Sequence, residues 1–201
     1  MKILSIHVFS LYNDKPIILS SAFALSFVSI FERGTLKDFL NFHSRLVIER
    51  IAKDTYALVQ LEKGICYAIS NLDKIGVTMI CDEEYPKSVA IDFLLNVHDN
   101  FKTFVQEKKL DLNIYTADTD VKYDYIANEI EAWQDPSKKD TLMKLQNELN
   151  DITNIIMRQN LLELLKREER MESLMQKSND LSAKSIDFYK LAKKNNRCCN
   201  L

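Results

Sequence analysis

Residues 164–194 read LLKREERMESLMQKSNDLSAKSIDFYKLAKK, with no glycine or proline among them. Alternating steps of four and three residues from Arg167 reach Met171, Leu174, Ser178, Leu181, Ser185, Phe188 and Ala192. That stripe of apolar and small side chains has heptad spacing, and the residues between are mostly charged or polar. A helix with such a seam cannot bury it alone and needs partner helices. The same steps taken backwards meet Leu164, Asn160, Met157, Thr153 and Asn150, a more polar seam, while Leu145, Leu149, Ile152 and Ile156 form a competing stripe.

Arg167 stands inside the seam, between Leu164 and Met171. Arginine is also common on helix surfaces, and Arg158 and Arg170 lie nearby, but the apolar stripe is in phase with Arg167 and not with Arg170. One buried polar layer in a coiled coil fixes register at some cost in stability. A guanidinium placed there has five donors and requires acceptors from the partner helices.

Outside this helix the composition narrows the possibilities. The chain has 201 residues, 46% of them apolar, enough for one compact domain with an appendage. Its 27 Lys plus Arg against 29 Asp plus Glu leave no basic footprint for nucleic acid. Cys66 and Cys81 lie in apolar, strand-like runs and read as small buried hydrophobes. Neither a disulfide framework nor zinc-ligand spacing is present, which fits a reducing, cytosolic setting. The start, MKILSIHVFS, alternates like a strand and lacks the pattern of a signal peptide. The uncharged run Ile17 to Phe31 has fifteen residues, four of them serine, short of the roughly 18–20 a bilayer span needs.

The spacing then predicts a β-β-α-β-β-β-α-α order. Leu4, Ile6 and Val8 fall on one face of a half-buried strand, with Ser5 and His7 on the other. YNDKP (12–16) turns the chain into a second strand that pairs with the first. TLKDFLNFHSRLVIERIA, after Gly34, reads as an amphipathic helix with Lys37, Asp38, Arg45 and Glu49 on the polar side. A lone His43 on the apolar side fits a packed, hydrogen-bonded residue better than a ligand. TYALVQLE, ICYAISN and IGVTMICD form a three-stranded meander. DEEYP starts a helix over about 86–107, and 121–133 suggests a shorter third one. QDPSKKD (134–140) is a polar break.

These residues carry a resemblance. The 164–194 run followed by two cysteines, together with MKILSIHVF, FLNFHSRLVIER, DEEYP and DPSKKDTLMKLQNEL in the same order and spacing, resembles the lipid-anchored longin R-SNAREs of the Ykt subfamily, related to synaptobrevin. It implies an α+β longin (profilin-like) domain, with a five-stranded antiparallel-type sheet flanked by helices, followed by a long C-terminal coiled-coil SNARE helix. The implied division is 1–133 longin domain, 134–139 linker, 140–194 SNARE homology and 195–201 lipidated tail. Arg167 would form the ionic layer opposite three glutamines of partner Q-SNARE helices. Met157, Leu164, Met171, Leu174, Leu181, Phe188 and Ala192 would form hydrophobic layers. Phe42 matches a residue that closes the longin domain onto the SNARE helix, although by its pattern alone it fits a core position as well.

The ending RCCNL places Cys198 and Cys199 for lipidation near basic residues. Read as CaaX, Cys198 takes the prenyl group and Leu201 favours geranylgeranyl, but Asn200 replaces the usual aliphatic residue. The family pattern has three residues after the second cysteine, and here only two follow, so the assignment of prenyl and palmitoyl groups stays open, as does a doubly geranylgeranylated pair. The resemblance further implies prenyl- and acyltransferases, a disassembly ATPase with its adaptor, and anchorage by lipid to the cytoplasmic face of Golgi, transport-vesicle and endosomal membranes beside a cytosolic pool. No cofactor, metal or catalytic residue is expected. A Rab-like GTPase, which also ends in two cysteines, fails because Gly34, Gly64 and Gly76 are the only glycines and no GxxxxGK[ST] loop exists. A hydrolase lacks GxSxG or HExxH. A longin-type adaptor that does not drive fusion would leave the arginine-phased stripe unexplained.

Overall fold

The computed structural model describes residues 2–12, 15–136, 156–166 and 169–198. The first two strands, β1 (Ile3–Ser10) and β2 (Ile17–Phe23), form the antiparallel hairpin that the YNDKP turn predicts. Helix α1 (Ile30–Arg50) follows, then the meander β3 (Thr55–Gln60), β4 (Ile65–Ser70) and β5 (Ile75–Cys81). Helix α2 (Lys87–Lys108) begins after Pro86, whose missing N–H costs nothing at that position. The third helix is shorter than its pattern suggests: α3 spans only Tyr125–Glu129, and a 3-10 turn, Ala132–Gln134, follows it.

The sheet order is β2-β1-β5-β4-β3-β6, and β6 (Met157–Asn160) is the strand the sequence did not announce. It pairs parallel with β3, Ala57 opposite Met157 through Gln60 opposite Asn160. All five expected strands are present, and the sixth makes the sheet mixed. The opposite edge is also covered: Thr119 N and Val121 N donate to Ile18 O and Leu19 O at 2.9 and 3.0 Å, and Asp118 accepts from Ile18 N. Strand β3 is thus covered by β6, and β2 by the 118–121 stretch.

Helices cover both faces of the sheet. On one, Ile6, Val8, Tyr67, Ile69, Val77 and Met79 pack with α2, whose Phe93 stacks on Trp133 at 4.6 Å. The other face carries α1 over small residues, Ala57, Cys66 and Ala68, which let the helix approach closely. The two thiols are free and buried, as their apolar runs predict, and burial pushes that of Cys81 up to about 12.

Strand β1 differs from its sequence reading. Because it lies between β2 and β5 in a sheet covered on both sides, it is buried throughout apart from a partly buried Leu4, instead of half-buried. A register shift between Ile3 and Ser5 moves Leu4 off the face of Ile6 and Val8 and onto the α1 side. The polar side chains on that side are therefore interior. His7 Nε2 donates to Asn41 Oδ1 at 2.9 Å and Ser44 Oγ donates to His7 Nδ1 at 3.0 Å, which anchors α1 through a neutral imidazole.

Burial, the largest influence, lowers the His7 pKa from 6.5 to about 4, the Asn41 bond opposing it. The unfolded chain then takes up a proton before the folded one does, so stability is full above the unfolded value of 6.5 and is lost as pH falls toward 4. His43 is depressed in the same direction. Urea midpoints at about pH 7 and about pH 5 are expected to differ more for the wild type than for His7→Gln, and equal differences would remove His7 as the titrating group.

Candidate functional site

After β6 the chain does not run as one long helix. Among the described residues it forms a 3-10 turn, Leu161–Leu164, helix α4 (Met171–Lys177) and helix α5 (Ala183–Cys198). The 3-10 turn opens on a capping box in which Asn160 and Glu163 satisfy each other's backbone N–H groups. These pieces lie over the outer side of α1. Leu161, Leu164, Met175 and Leu181 are buried in the same cluster as Leu40, Phe42, Leu46 and Val59, with Met171 and Leu174 half-buried around it. Helix α1 is thus a middle layer, apolar toward the sheet and partly apolar toward its cover.

Three polar attachments hold that cover. Arg45 sets Nε and Nη2 on the two carboxylate oxygens of Asp180 at 2.9 and 3.0 Å, and Nη2 also reaches Asp118 at 2.6 Å while Nη1 donates to Pro16 O. Arg50 forks onto Glu169 at 3.1 and 3.2 Å. The Lys166 N–H, at 2.9 Å, and then that fork hold the Glu169 carboxylate below its usual range. Asp38 accepts from Ser182 Oγ and Ser185 Oγ, each at 2.8 Å, where Ser182 Oγ also accepts from Ser185 N and caps the start of α5. Bidentate arginine–carboxylate pairs are directional as well as strong. Asp38 and Arg45 are residues whose helical phase puts them on the polar side of α1. These two face the C-terminal segment, while Lys37 and Glu49 on the same side stay exposed.

Beside these attachments is a cavity of about 1050 Å³, near the upper end of the size of small-molecule pockets. Its walls include Leu36, Phe39 and His43 of α1, the β3–β4 turn at Leu61 to Gly64, and Met171, Met175, Phe188, Tyr189 and Ala192 of the C-terminal helices. His43 is packed and bonded to Phe39 O at 2.8 Å, as a non-ligand histidine would be.

The sequence-predicted site residues are distributed unevenly over this arrangement. Phe42 is 4% exposed, inside the shared cluster. Leu164 and Leu181 are buried and Met171 and Leu174 half-buried, whereas Phe188 is 47% exposed and Ala192 exposed at the cavity wall. Met157, expected in a helical layer, sits on β6 and is 45% exposed, because the strand ladder fixes its side chain by a period of two. Arg167 and Cys199 lie outside the described residues. Cys198 ends α5, and its side chain is outside them too. The heptad reading missed Met175, Leu161, Asp180 and Glu169, whose roles depend on partners more than a hundred residues away. No local pattern could have revealed them.

Comparisons with known proteins agree along the whole chain. A family described as Synaptobrevin matches residues 141–200, and one described as Longin, a Regulated-SNARE-like domain, matches 24–125. The synaptobrevin homolog YKT6 of Debaryomyces hansenii is 32% identical over 199 residues, covering 99% of this chain and 98% of that one. The synaptobrevin homolog ykt6 of Schizosaccharomyces pombe is 30% identical over 200 residues, with 99% and 98% covered. The VAMP-like protein YKT61 of Arabidopsis thaliana is 32% identical over 188 residues, with 92% and 91% covered.

Replacing Arg45 with Met keeps the aliphatic stem and removes the fork, leaving the Asp180 carboxylate mostly buried without its arginine at a cost of about 1–3 kcal/mol. Amide exchange over 183–193 is expected to speed up by roughly tenfold or more while exchange in β1 and β5 stays unchanged. Unaltered exchange in α5 would show that the fork does not hold the cover.

Proposed function

The chain belongs to the Ykt6-type synaptobrevin homologues, longin-domain R-SNAREs of vesicle trafficking, and from that premise we propose that it alternates between the folded-back form described above and a form whose C-terminal seam is shared with three Q-SNARE helices. The family consists of SNARE proteins, not enzymes, and membership implies pairing with other SNARE helices.

One observation carries the two-state reading. Leu164, Met171, Leu174 and Leu181, members of the arginine-phased stripe, are among the side chains packed against the longin domain, beside the off-stripe Leu161 and Met175. A side chain cannot fill both that cluster and a four-helix core, so the two states exclude each other, and any ligand or partner that favours one depletes the other. In the assembled state Arg167 supplies the ionic layer. Its five donors face three carboxamides, and a misaligned bundle would leave the charge unpaired in an apolar seam. Burial of each large apolar side chain contributes about 1.5–3 kcal/mol before ordering costs.

Membrane attachment is assigned to lipids on Cys198 and Cys199, installed by prenyl- and acyltransferases. No described helix is long and apolar enough to cross a membrane. One lipid chain gives reversible binding, and two signals give stable anchorage. The cavity between α1 and the C-terminal helices has the volume and apolar walls to shelter such a chain in the folded-back form, and Phe42 at 4% exposure supports that closure. Residues 1–133 then act as the longin regulator, 134–139 as linker, 140–194 as the SNARE motif and 195–201 as the lipidated tail. A disassembly ATPase with its adaptor would recycle the bundle, and the expected routes are ER–Golgi, intra-Golgi and endosomal or vacuolar transport.

The attachments separate the two states experimentally. Glu169 and Asp180 each stand two residues beyond a stripe position, Arg167 and Ser178, so they lie off the seam of the bundle. Asp180→Ala is expected to accelerate assembly with Q-SNARE helices severalfold and leave the melting point of the assembled bundle unchanged, whereas Leu181→Ser lowers that melting point. Arg167→Ala is expected to permit out-of-register bundles, detected by cysteine crosslinking across layers. Equal assembly rates for wild type and Asp180→Ala, together with intact binding, would refute the folded-back brake. Failure of the wild-type chain to bind any Q-SNARE set would refute the fusion reading itself.

A further inference from the structure

The start of α1 carries the two most exposed large apolar side chains described in the N-terminal domain, and the turn before it adds a third. Phe27 is 50% exposed, Ile30 77% and Phe31 86%. Three such residues within five positions form a contiguous apolar tip, not the scattered exposure that any surface shows. The tip is stiff. The Arg33 side chain donates through Nε to Val28 O and through Nη2 to Ser26 O, both at 2.9 Å, lacing the turn to the first turn of α1. Buried Ala24 and Leu25 fix its near end, and Ala24 N donates to Leu4 O at 3.1 Å. Holding Ile30 and Phe31 in water is unfavourable, and here the backbone is tied so that they cannot fold inward.

Along residues 24–37 cations outnumber acids, Arg33 and Lys37 against Glu32. Lys2 places its ammonium 3.9 Å above the Phe27 ring, Arg33 and Lys37 follow on α1, and Glu32 is the single acid between Ala24 and Lys37. Acidic Asp82, Glu83 and Glu84 belong to the wall of the large cavity, which Phe27 also lines and Ile30 and Phe31 do not. An apolar tip with a cationic collar is complementary to an anionic leaflet, acyl chains below and phosphates around.

We propose that the Ser26–Phe31 stretch, the turn before α1 with the first two residues of the helix, is a membrane-docking tip that seats Ile30, Phe31 and the rim of Phe27 in the interface of an anionic bilayer, with Lys2, Arg33 and Lys37 against the headgroup phosphates. The site lies on the longin domain, and its operation does not depend on which terminal cysteine is lipidated. A weak second attachment of this kind adds to a single lipid chain, converting marginal binding into firmer residence.

The test uses the full chain without lipid on its cysteines, mixed with vesicles of phosphatidylcholine alone or with phosphatidylserine added. Phe31→Trp adds a reporter at an exposed position against the buried background of Trp133. A blue shift and co-sedimentation on phosphatidylserine vesicles are expected, weakening with salt and with Lys2→Glu plus Lys37→Glu. Ile30→Ser plus Phe31→Ser, both at exposed positions, is expected to lower the partition by about tenfold or more with the thermal midpoint unchanged. No shift on phosphatidylserine vesicles, or equal partition of the double-serine variant, overturns the proposal. So does a concentration-dependent dimer that the double-serine variant abolishes when vesicle binding is absent, which would make the tip a contact between copies.

Discussion

The outer face of α1 has to be covered. Its inner face packs on the sheet, yet Phe42, Leu46 and the half-buried Leu36 and Phe39 share a cluster with side chains of the C-terminal segment. That segment has the complementary difficulty, a seam too apolar for water and too narrow for a core of its own. Each solves the other's problem in the folded-back form. The cost is that the seam is unavailable to partner helices for as long as the cover stays in place. In the proposed two-state cycle, regulation of assembly follows from that single competition for apolar area.

Polar contacts decide where the cover sits. Apolar burial is non-directional, whereas the Arg45–Asp180 and Arg50–Glu169 forks and the Asp38–Ser182–Ser185 bonds each require one geometry. They share a helix face with half-buried apolar residues, so the same α1 residues that give register to the cover also keep α1 from presenting a wholly greasy surface when the cover leaves. Farther inside, the neutral His7 holds α1 to β1, so the platform keeps its place when the cover moves.

The sheet adds a second coupling between the two parts of the chain. Strand β6 belongs to the SNARE-matching stretch, residues 141–200, and pairs with β3 of the longin domain. In the proposed cycle, departure of the C-terminal segment opens a strand edge as well as an apolar face. The other edge, at β2, is covered by residues of the longin domain's own connection at 118–121, where Asp118 also touches Arg45. One side of the sheet is closed by a permanent element and the other by an element that has an alternative use.

Much of this was determined by the sequence alone. Period-two alternation and turn residues located five strands, Pro86 located the start of α2, and the arginine-phased stripe marked side chains that need cover, because each signal is carried by neighbours within one or two turns of chain. Tertiary structure decided the rest. It placed β1 between β2 and β5 in a sheet covered on both sides, which made Ser5 and His7 interior; it put Met157 on an edge strand in this form; and it gave Asp38 and Arg45 protein partners where the helical pattern had given them water. The stripe from Leu164 to Leu181 has equal claim to a neighbouring domain and to a neighbouring chain, since apolar periodicity states that a face must be buried and says nothing about what buries it. That choice depends on contacts between residues more than a hundred positions apart, and only the folded chain brings them together.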